Sequence, residues 1–407
     1  MIPKIKGTQD FLDLSLLQFI IKTSSDQLNL HNFSQIELPI LESGDLFKRT
    51  VGNETDIVNK EMFMIEPRAG SNEIICLRPE ATAQTMRTFL EHNIQNLPWK
   101  VFSYGPMFRY ERPQKGRYRQ FNQCNIEIIS TESIDQDVLL ISILDQLFSQ
   151  KWYLTNYTLL LNFLGCNQDR LNFRDKLTNF LKNQPQICET CNKRSINSPL
   201  RVFDCKNETC RQIYCDAPKI LEHLCANCNS EWEELRKHLK LLKIAFVIQP
   251  DLVRGLDYYN KTVFEFTSTA LGAQSSFCGG GRYELATQLG HKTAVPAIGA
   301  AFGLERVLLI LETMHDQLPI IAKPDLNILI PFGPAQHALA LLIAQNLSQN
   351  NLITDLMLES GSIKNKMRKA NKLNPKYCIL IGENEQASNS VTLKNMATGD
   401  ERLVKRA

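Results

Sequence analysis

The sequence predicts an α+β chain in two domains, with a helical insertion interrupting the first. Three observations predict it. Apolar runs flank a basic loop broken by Pro113 and Gly116, which reads as strand, loop and returning strand between Trp99 and Glu127. Over about 165–249 the composition shifts to a cysteine-rich stretch with several amphipathic helical patterns and no phosphate-handling pattern. Beyond Lys323-Pro324-Asp325, a plausible linker, strands and helices alternate through 325–407, the pattern of a small α/β domain.

A chain of 407 residues, 43% hydrophobic, can bury a large core and is too long for one ordinary domain. Its 46 basic and 43 acidic residues leave a net charge of +3, so any case for a nucleic-acid partner must be local. The first ten residues contain no apolar run of signal-peptide length, and no segment approaches the roughly 18 apolar residues of a membrane span. A soluble, cytoplasmic protein is expected, and its twelve cysteines are expected to be reduced thiols.

The elements follow in order. Residues 35–42 alternate, with Ile36, Leu38 and Ile40 on one side and Pro39 restricting the run to a sheet edge. Pro79 at N1 opens a helix over 80–93, in which Met86, Phe89 and Leu90 share a face. A strand over 99–104 enters the basic loop. After the insertion come strands over 261–269 and 295–302, the second running through Gly303 into a helix over 304–313. The C-terminal region reads as strand 326–330, helix 336–347, strand 352–358, helix 363–373, and strands 377–381 and 390–395.

The loop region from Phe108 carries Arg109, Arg112, Lys115, Arg117 and Arg119 against one acid, Glu111. Charge of that density suits phosphate. Antiparallel strands would turn Arg109, Gln123 and Glu127 onto one face. On charge alone a solvated basic hairpin reads equally well. The order of residues favours the first reading: Phe-Arg-x-Glu, a loop, then Arg117-x-x-Gln-Phe121 is similar to motif 2 of the class II aminoacyl-tRNA synthetases. Leu38-Pro39-Ile40 sits where that family has motif 1, and Gly303-Leu-Glu-Arg306 resembles motif 3. Leu252-Val-Arg-Gly-Leu-Asp-Tyr-Tyr259 resembles the signature of histidyl-tRNA synthetases, as do Leu77-Arg-Pro-Glu-Ala-Thr82, Gly7-Thr-Gln-Asp10 and Gly280-Gly-Arg-Tyr283. The resemblance covers almost the whole chain. One departure is Ala81, where the family commonly has glycine; a methyl group fits there unless the backbone needs positive φ.

The resemblance implies a class II catalytic domain over 1–322, an antiparallel sheet flanked by helices with the insertion at about 165–249, and an anticodon-binding domain over 325–407. It implies a homodimer that uses ATP with Mg²⁺ to make histidyl-adenylate from L-histidine and passes the amino acid to tRNA(His). Arg109 and Arg254 would flank the α-phosphate and Arg306 would hold the γ-phosphate. Glu80, Ala81, Thr82, Gln123, Glu127, Tyr258 and Tyr259 would form the histidine pocket, with Glu127 and Tyr259 facing the imidazole. Phe121, Glu111 and Arg117 would meet the nucleotide, and Arg112 and Gln114 the acceptor end of the tRNA. A non-catalytic relative, similar to the regulatory subunit of ATP phosphoribosyltransferase, is the alternative. A sensor of uncharged tRNA is a third, disfavoured because the chain has no kinase signature.

Cys188-x-x-Cys191 and Cys225-x-x-Cys228 have the pair spacing of a four-thiolate zinc site, with Cys205, Cys210 and Cys215 between them. The spacing allows structural zinc, and free thiols are the expected state. Lys364, Lys366, Arg368, Lys369, Lys372 and Lys376 form a basic run, ordinarily a solvated helix face. By resemblance to the anticodon-binding domain it would meet RNA.

Overall fold

Helix α1 (Ser15–Leu30) turns Leu16, Ile20 and Leu28 inward, and strand β1 (Ser34–Gln35) leaves it for the edge of the main sheet. The computed structural model describes residues 2–52, 55, 57–67, 70, 73–320 and 324–406. A small sheet follows, formed by β2 (Leu41–Ser43), β3 (Phe63–Ile65) and β4 (Ile75–Leu77), with α2 (Gly44–Val51) after its first strand and α3 (Thr82–Glu91) after its last. The main sheet continues with β5 (Trp99–Phe108) and β6 (Gln120–Ile129), then α4 (Ile134–Gln146) and β7 (Thr158–Phe163).

The insertion is helical: α5 (Asn167–Lys182), α6 (Glu189–Asn197), α7 (Glu208–Cys215) and α8 (Ala226–Leu241). The chain returns through β8 (Val247–Ile248), β9 (Tyr259–Thr267), β10 (Ser276–Glu284) and β11 (Pro296–Gly303), and ends the unit with α9 (Leu304–Leu311). Strand order is β1-β5-β6-β11-β10-β9-β7-β8, antiparallel except for the outer pairs β1/β5 and β7/β8. One face carries a core cluster in which Phe102, Ile126 and Ile128 meet Ile20, Leu140, Trp232 and Leu311. Full burial of such a side chain contributes about 1.5–3 kcal/mol over leaving it exposed.

Several expectations shift. The alternating run at 35–42 is not one strand: β1 holds only its start, because Arg78 takes the carbonyls of Leu38 (2.8 Å) and Pro39 (3.4 Å) with its guanidinium. Arg78 also bonds the Pro106 carbonyl at 2.9 Å, so the motif 1 segment is tied to β5 by a buried cation rather than by a ladder. The helix expected from Glu80 begins at Thr82, because the Glu80 carboxylate accepts the Thr82 N–H (2.6 Å) and the Ala83 N–H (3.0 Å) and caps it. Strand β10 was not anticipated. Its three glycines, 279–281, erase the alternation that marks a strand, yet they are what lets it pack: a Cβ on Gly280 would lie 2.2 Å from the Gly299 carbonyl oxygen.

The second unit, Ile321–Ala407, contains β12 (Asn327–Pro331), α10 (His337–Gln349), β13 (Thr354–Leu356), α11 (Ile363–Asn371), β14 (Tyr377–Ile381), α12 (Glu383–Ala387), β15 (Ser390–Asn395) and β16 (Glu401–Lys405). Its sheet runs β13-β12-β14-β15-β16, parallel through β14 and antiparallel beyond. Short α12 and terminal β16 were not read from the sequence. Lys323 of the expected linker lies outside the described residues. Lys366 leaves the basic run: it is buried and donates to the Pro331 carbonyl at 2.7 Å, closing the end of β12, while Lys364, Arg368, Lys369, Lys372 and Lys376 stay exposed.

Gly280→Ala is expected to destabilise the protein by about 1–3 kcal/mol, since backbone atoms cannot yield as a flexible side chain can. Denaturant unfolding measures it, and an unchanged midpoint would show that the strands part without cost.

Candidate active site

Strand alternation builds the site. On β6, Ile126 and Ile128 enter the core, so Gln123, Asn125 and Glu127 face the other side of the sheet. A cavity of about 640 Å³ opens there, in the size range of small-molecule sites. Glu80, Thr82, Arg109, Glu111, Arg117, Phe121, Gln123, Arg254, Tyr258, Tyr259 and Arg306 all line it. Segments spread from 80 to 306 in the sequence are thus brought to one place.

Glu127 sits behind that wall, 2% exposed. Its Oε1 accepts from the Thr82 hydroxyl at 2.8 Å and its Oε2 from the Tyr283 hydroxyl at 2.7 Å. Gly299 is its register partner on β11, and a Cβ there would lie 1.8 Å from Oε2. The carboxyl group can lie flat against the sheet only because that residue has no side chain. Burial pushes its pKa up to about 8, against the opposing pull of the Tyr283 and Thr82 hydrogen bonds. Burial raises Glu80 too, although the Ala83 and Thr82 N–H groups favour its charged form. Ala81, buried at the N-cap of α3, has φ −113°, so the departure from glycine carries no backbone strain.

The arginines are held by the scaffold. Arg109, just beyond β5, donates Nε to the Pro79 carbonyl at 2.9 Å and lies 5.4 Å from the Phe121 ring centroid. Arg254 crosses Gly279, where a Cβ would strike its guanidinium, to pair with Glu265. Arg306 donates to the Gly116 carbonyl at 2.9 Å and to the Ser276 carbonyl, joining the basic loop to the start of β10. Burial, then the charges of Arg117 and Arg109, lowers its pKa. Arg117 is paired with Glu111 at 2.5 Å. Arg112 and Gln114 stay off the cavity wall.

Sequence reasoning missed several members. Tyr283 carries no signal beyond its place in the Gly280–Tyr283 segment, and Glu265 pairs with Arg254 without any local signal. Glu305 accepts the Asn122 N–H (2.8 Å) and its amide (2.9 Å), fixing α9 against β6. The insertion, in which the sequence shows no phosphate-handling pattern, contributes Arg194, Arg201, Asp204 and Lys206 to the cavity wall. The cysteine pairs do not join. Cys188 and Cys191 gather with Cys205 and Cys210, while Cys225 and Cys228 gather with Cys166 and Asp169. Each Cys-x-x-Cys pair spans a helix start, α6 or α8, with Cys191 in one apolar cluster and Cys228 in another.

A glutamate titrates near 4.5 in the unfolded chain and Glu127 at about 8 in the folded one. Between those values the folded protein holds a proton that the unfolded chain has released. The stability from this group is full below pH 4.5 and is lost as pH rises through about 8. Unfolding measured across that window should show the wild type declining and Glu127→Gln declining less steeply. Parallel profiles would place the titration elsewhere.

Known proteins resemble this chain along nearly its whole length. Residues 16–307 match the family model described as histidyl-tRNA synthetase, and residues 328–407 match the anticodon binding domain. The histidine–tRNA ligase of Aquifex aeolicus is 40% identical over 410 residues, covering 99% of this chain and 98% of that protein. The ligase of Halothermothrix orenii is 39% identical, covering 97% of this chain and 95% of that protein. The crystal structure of apo histidyl-tRNA synthetase from S. aureus superposes with a TM-score of 0.81 at 30% identity, covering 100% of this chain and 97% of that one. An ATP phosphoribosyltransferase regulatory subunit/histidyl-tRNA synthetase from Bacillus halodurans shares the fold at 18% identity and a TM-score of 0.64, covering 94% of this chain and 98% of that one. With a family model matching most of its length and relatives near 40% identity end to end, this chain belongs to the histidyl-tRNA synthetase family.

Proposed function

We propose that the chain activates L-histidine with ATP and transfers it to the 3′ end of tRNA(His). The observation that carries this reading is the buried Thr82–Glu127–Tyr283 network set behind a cavity lined by Arg109, Arg254 and Arg306. The histidine carboxylate attacks the α-phosphorus and pyrophosphate leaves; the tRNA 3′-terminal hydroxyl then attacks the carbonyl and AMP leaves. Positioning and neutralisation of phosphate charge are the protein's main work in such a step. Arg109 and Arg254 flank the α-phosphate, and Arg306 holds the γ-phosphate. Because each is already pinned by a carbonyl or a carboxylate, little reorganisation accompanies substrate binding.

Glu127 and Tyr259 meet the two imidazole nitrogens, while Glu80, Thr82 and Gln123 hold the α-amino group. A pocket of buried polar groups rejects an amino acid that leaves them unpaired, by roughly 10⁴ or more. Tyr258 packs 4.6 Å from Tyr259, ring centroid to ring centroid, and supports it, and buried Ala81 precedes Thr82 at the N-cap of α3. Phe121, Glu111 and Arg117 take the adenosine side, and Arg112 and Gln114 the acceptor end. Glu305 on the cavity wall offers hard oxygen lone pairs that would suit Mg²⁺ carried in with ATP, where the ion would neutralise phosphate charge.

The domain scheme follows: a catalytic domain over 1–322 with its insertion at 165–249, and an anticodon-binding domain over 325–407. Exposed Lys364, Arg368, Lys369 and Lys372 support RNA contact by the latter. Exposed Leu41, Met64 and Ile65 on the small sheet, with Ile40 and Ile74 beside them, support a homodimer. No described helix is long and apolar enough to cross a membrane, and a cytoplasmic enzyme working beside translation is the consistent reading. The regulatory-subunit alternative has no observation of comparable weight.

Histidine-dependent pyrophosphate exchange, followed by charging of tRNA(His), tests the proposal; exchange independent of histidine would overturn the assignment of substrate. Arg254→Ala is expected to lower kcat in that assay by about 10²–10³-fold, the usual effect of removing a positioned charge-stabilising donor. Near-normal exchange would remove Arg254 from the reacting centre. Glu127→Gln is expected to raise the KM for histidine with little change in that for ATP. An unchanged histidine KM would turn the carboxylate away from the imidazole.

A further inference from the structure

We propose that Cys188, Cys191, Cys205 and Cys210 bind a structural zinc ion that staples together the part of the insertion bordering the active-site cavity. Their four sulfurs lie within 4.8 Å of one another. Four thiolates about 2.3 Å from a tetrahedral zinc stand roughly 3.8 Å apart. The Cys188 and Cys205 sulfurs are 3.8 Å apart, far beyond a disulfide bond at about 2.05 Å.

Backbone geometry reinforces the cluster. The Cys188 N–H donates to the Cys210 sulfur at 3.2 Å, and the Asn207 N–H to the Cys205 sulfur at 3.4 Å. Such N–H donors stabilise sulfur in its thiolate form. Cys191 and Cys210 are fully buried and Cys188 and Cys205 half-buried, so the site is enclosed. Binding displaces the thiol protons to solvent. Four thiolates leave no open position, so the ion is structural.

Placement gives the site its consequence. Cys205 lies between Asp204 and Lys206, both on the active-site cavity wall, and α6 between Cys188 and Ser198 carries Arg194 to the same wall. Arg194 donates to the Arg201 carbonyl at 3.0 Å, and Arg201 reaches toward the Gly255 carbonyl at 3.5 Å, next to Arg254. A zinc staple at 188–210 therefore holds three basic side chains of the insertion beside the proposed phosphate site. The second cluster differs. Asp169 there accepts the N–H groups of Cys166 (3.3 Å) and Cys225 (3.0 Å), which engages its carboxylate in helix capping.

Metal analysis of the full-length protein, purified without chelator, tests the proposal. About one zinc ion per chain is expected, retained in Cys225→Ser and lost in Cys205→Ser and Cys210→Ser. Cobalt exchanged into the wild type should give the visible spectrum of a tetrahedral tetrathiolate centre, which reads the ligand set without any variant. Trypsin should cut at Lys193, Arg194, Lys206 or Arg211 faster after zinc removal. Absence of metal, iron in place of zinc, zinc lost only in Cys225→Ser, or a cobalt spectrum lacking thiolate character would each overturn it. None of these readouts depends on which amino acid the enzyme activates.

Discussion

The site depends on one buried carboxyl group lying where the sheet has no side chain. Glu127 faces Gly299 across the β6/β11 ladder, and the space left by that glycine is the space the carboxyl group fills. Burial there is costly for a charged group, so the proton stays on until a partner for the charge arrives. An imidazole that can donate to or share a proton with the carboxyl group is such a partner; an apolar side chain is not. In the function proposed above, selectivity comes from leaving the wrong amino acid beside a buried acid whose charge it cannot compensate.

The same device recurs one strand away. Gly279 faces Glu265 on β9, and the guanidinium of Arg254 crosses the gap to reach that carboxylate. A row of glycines in the middle of a β-sheet ordinarily weakens it through entropy and lost packing. Here β10 is held on both sides by long antiparallel ladders, and the missing side chains at Gly299 on β11 and Gly279 on β10 become two slots, one for a carboxyl group and one for an arginine. Arg109, Arg254 and Arg306 are each anchored by a protein carbonyl or carboxylate, so their charges are fixed in place by the scaffold itself. This is electrostatic preorganisation achieved with ordinary hydrogen bonds.

Much of this was legible in the sequence. The hairpin around the basic loop, the strand that runs into α9, and the C-terminal alternation follow from residue periodicity. What escaped has common physical causes. Strand β10 hid because glycine carries no polarity pattern. The break at 36–40 hid because its carbonyls pair with Arg78, a residue roughly forty positions away. Glu80 was readable as a site residue but not as the cap of α3, since the tripeptide Pro-Glu-Ala gives no sign of which backbone groups its carboxylate meets. The grouping of Cys205 and Cys210 with Cys188 and Cys191 hid because the first two lack the short pair spacing that made Cys225 and Cys228 conspicuous. Tyr283, Glu265, Arg194 and Lys206 reach the site only through tertiary folding.

The most direct measurement on the central claim is infrared difference spectroscopy of the substrate-free protein against pH, with Glu127→Gln as reference. A protonated carboxyl band present in the wild type, absent in the variant, and lost with a midpoint of about 8 is the predicted result. Saturating L-histidine should shift or remove that band. A carboxyl group titrating near 4.5, or a band indifferent to histidine, would contradict the account.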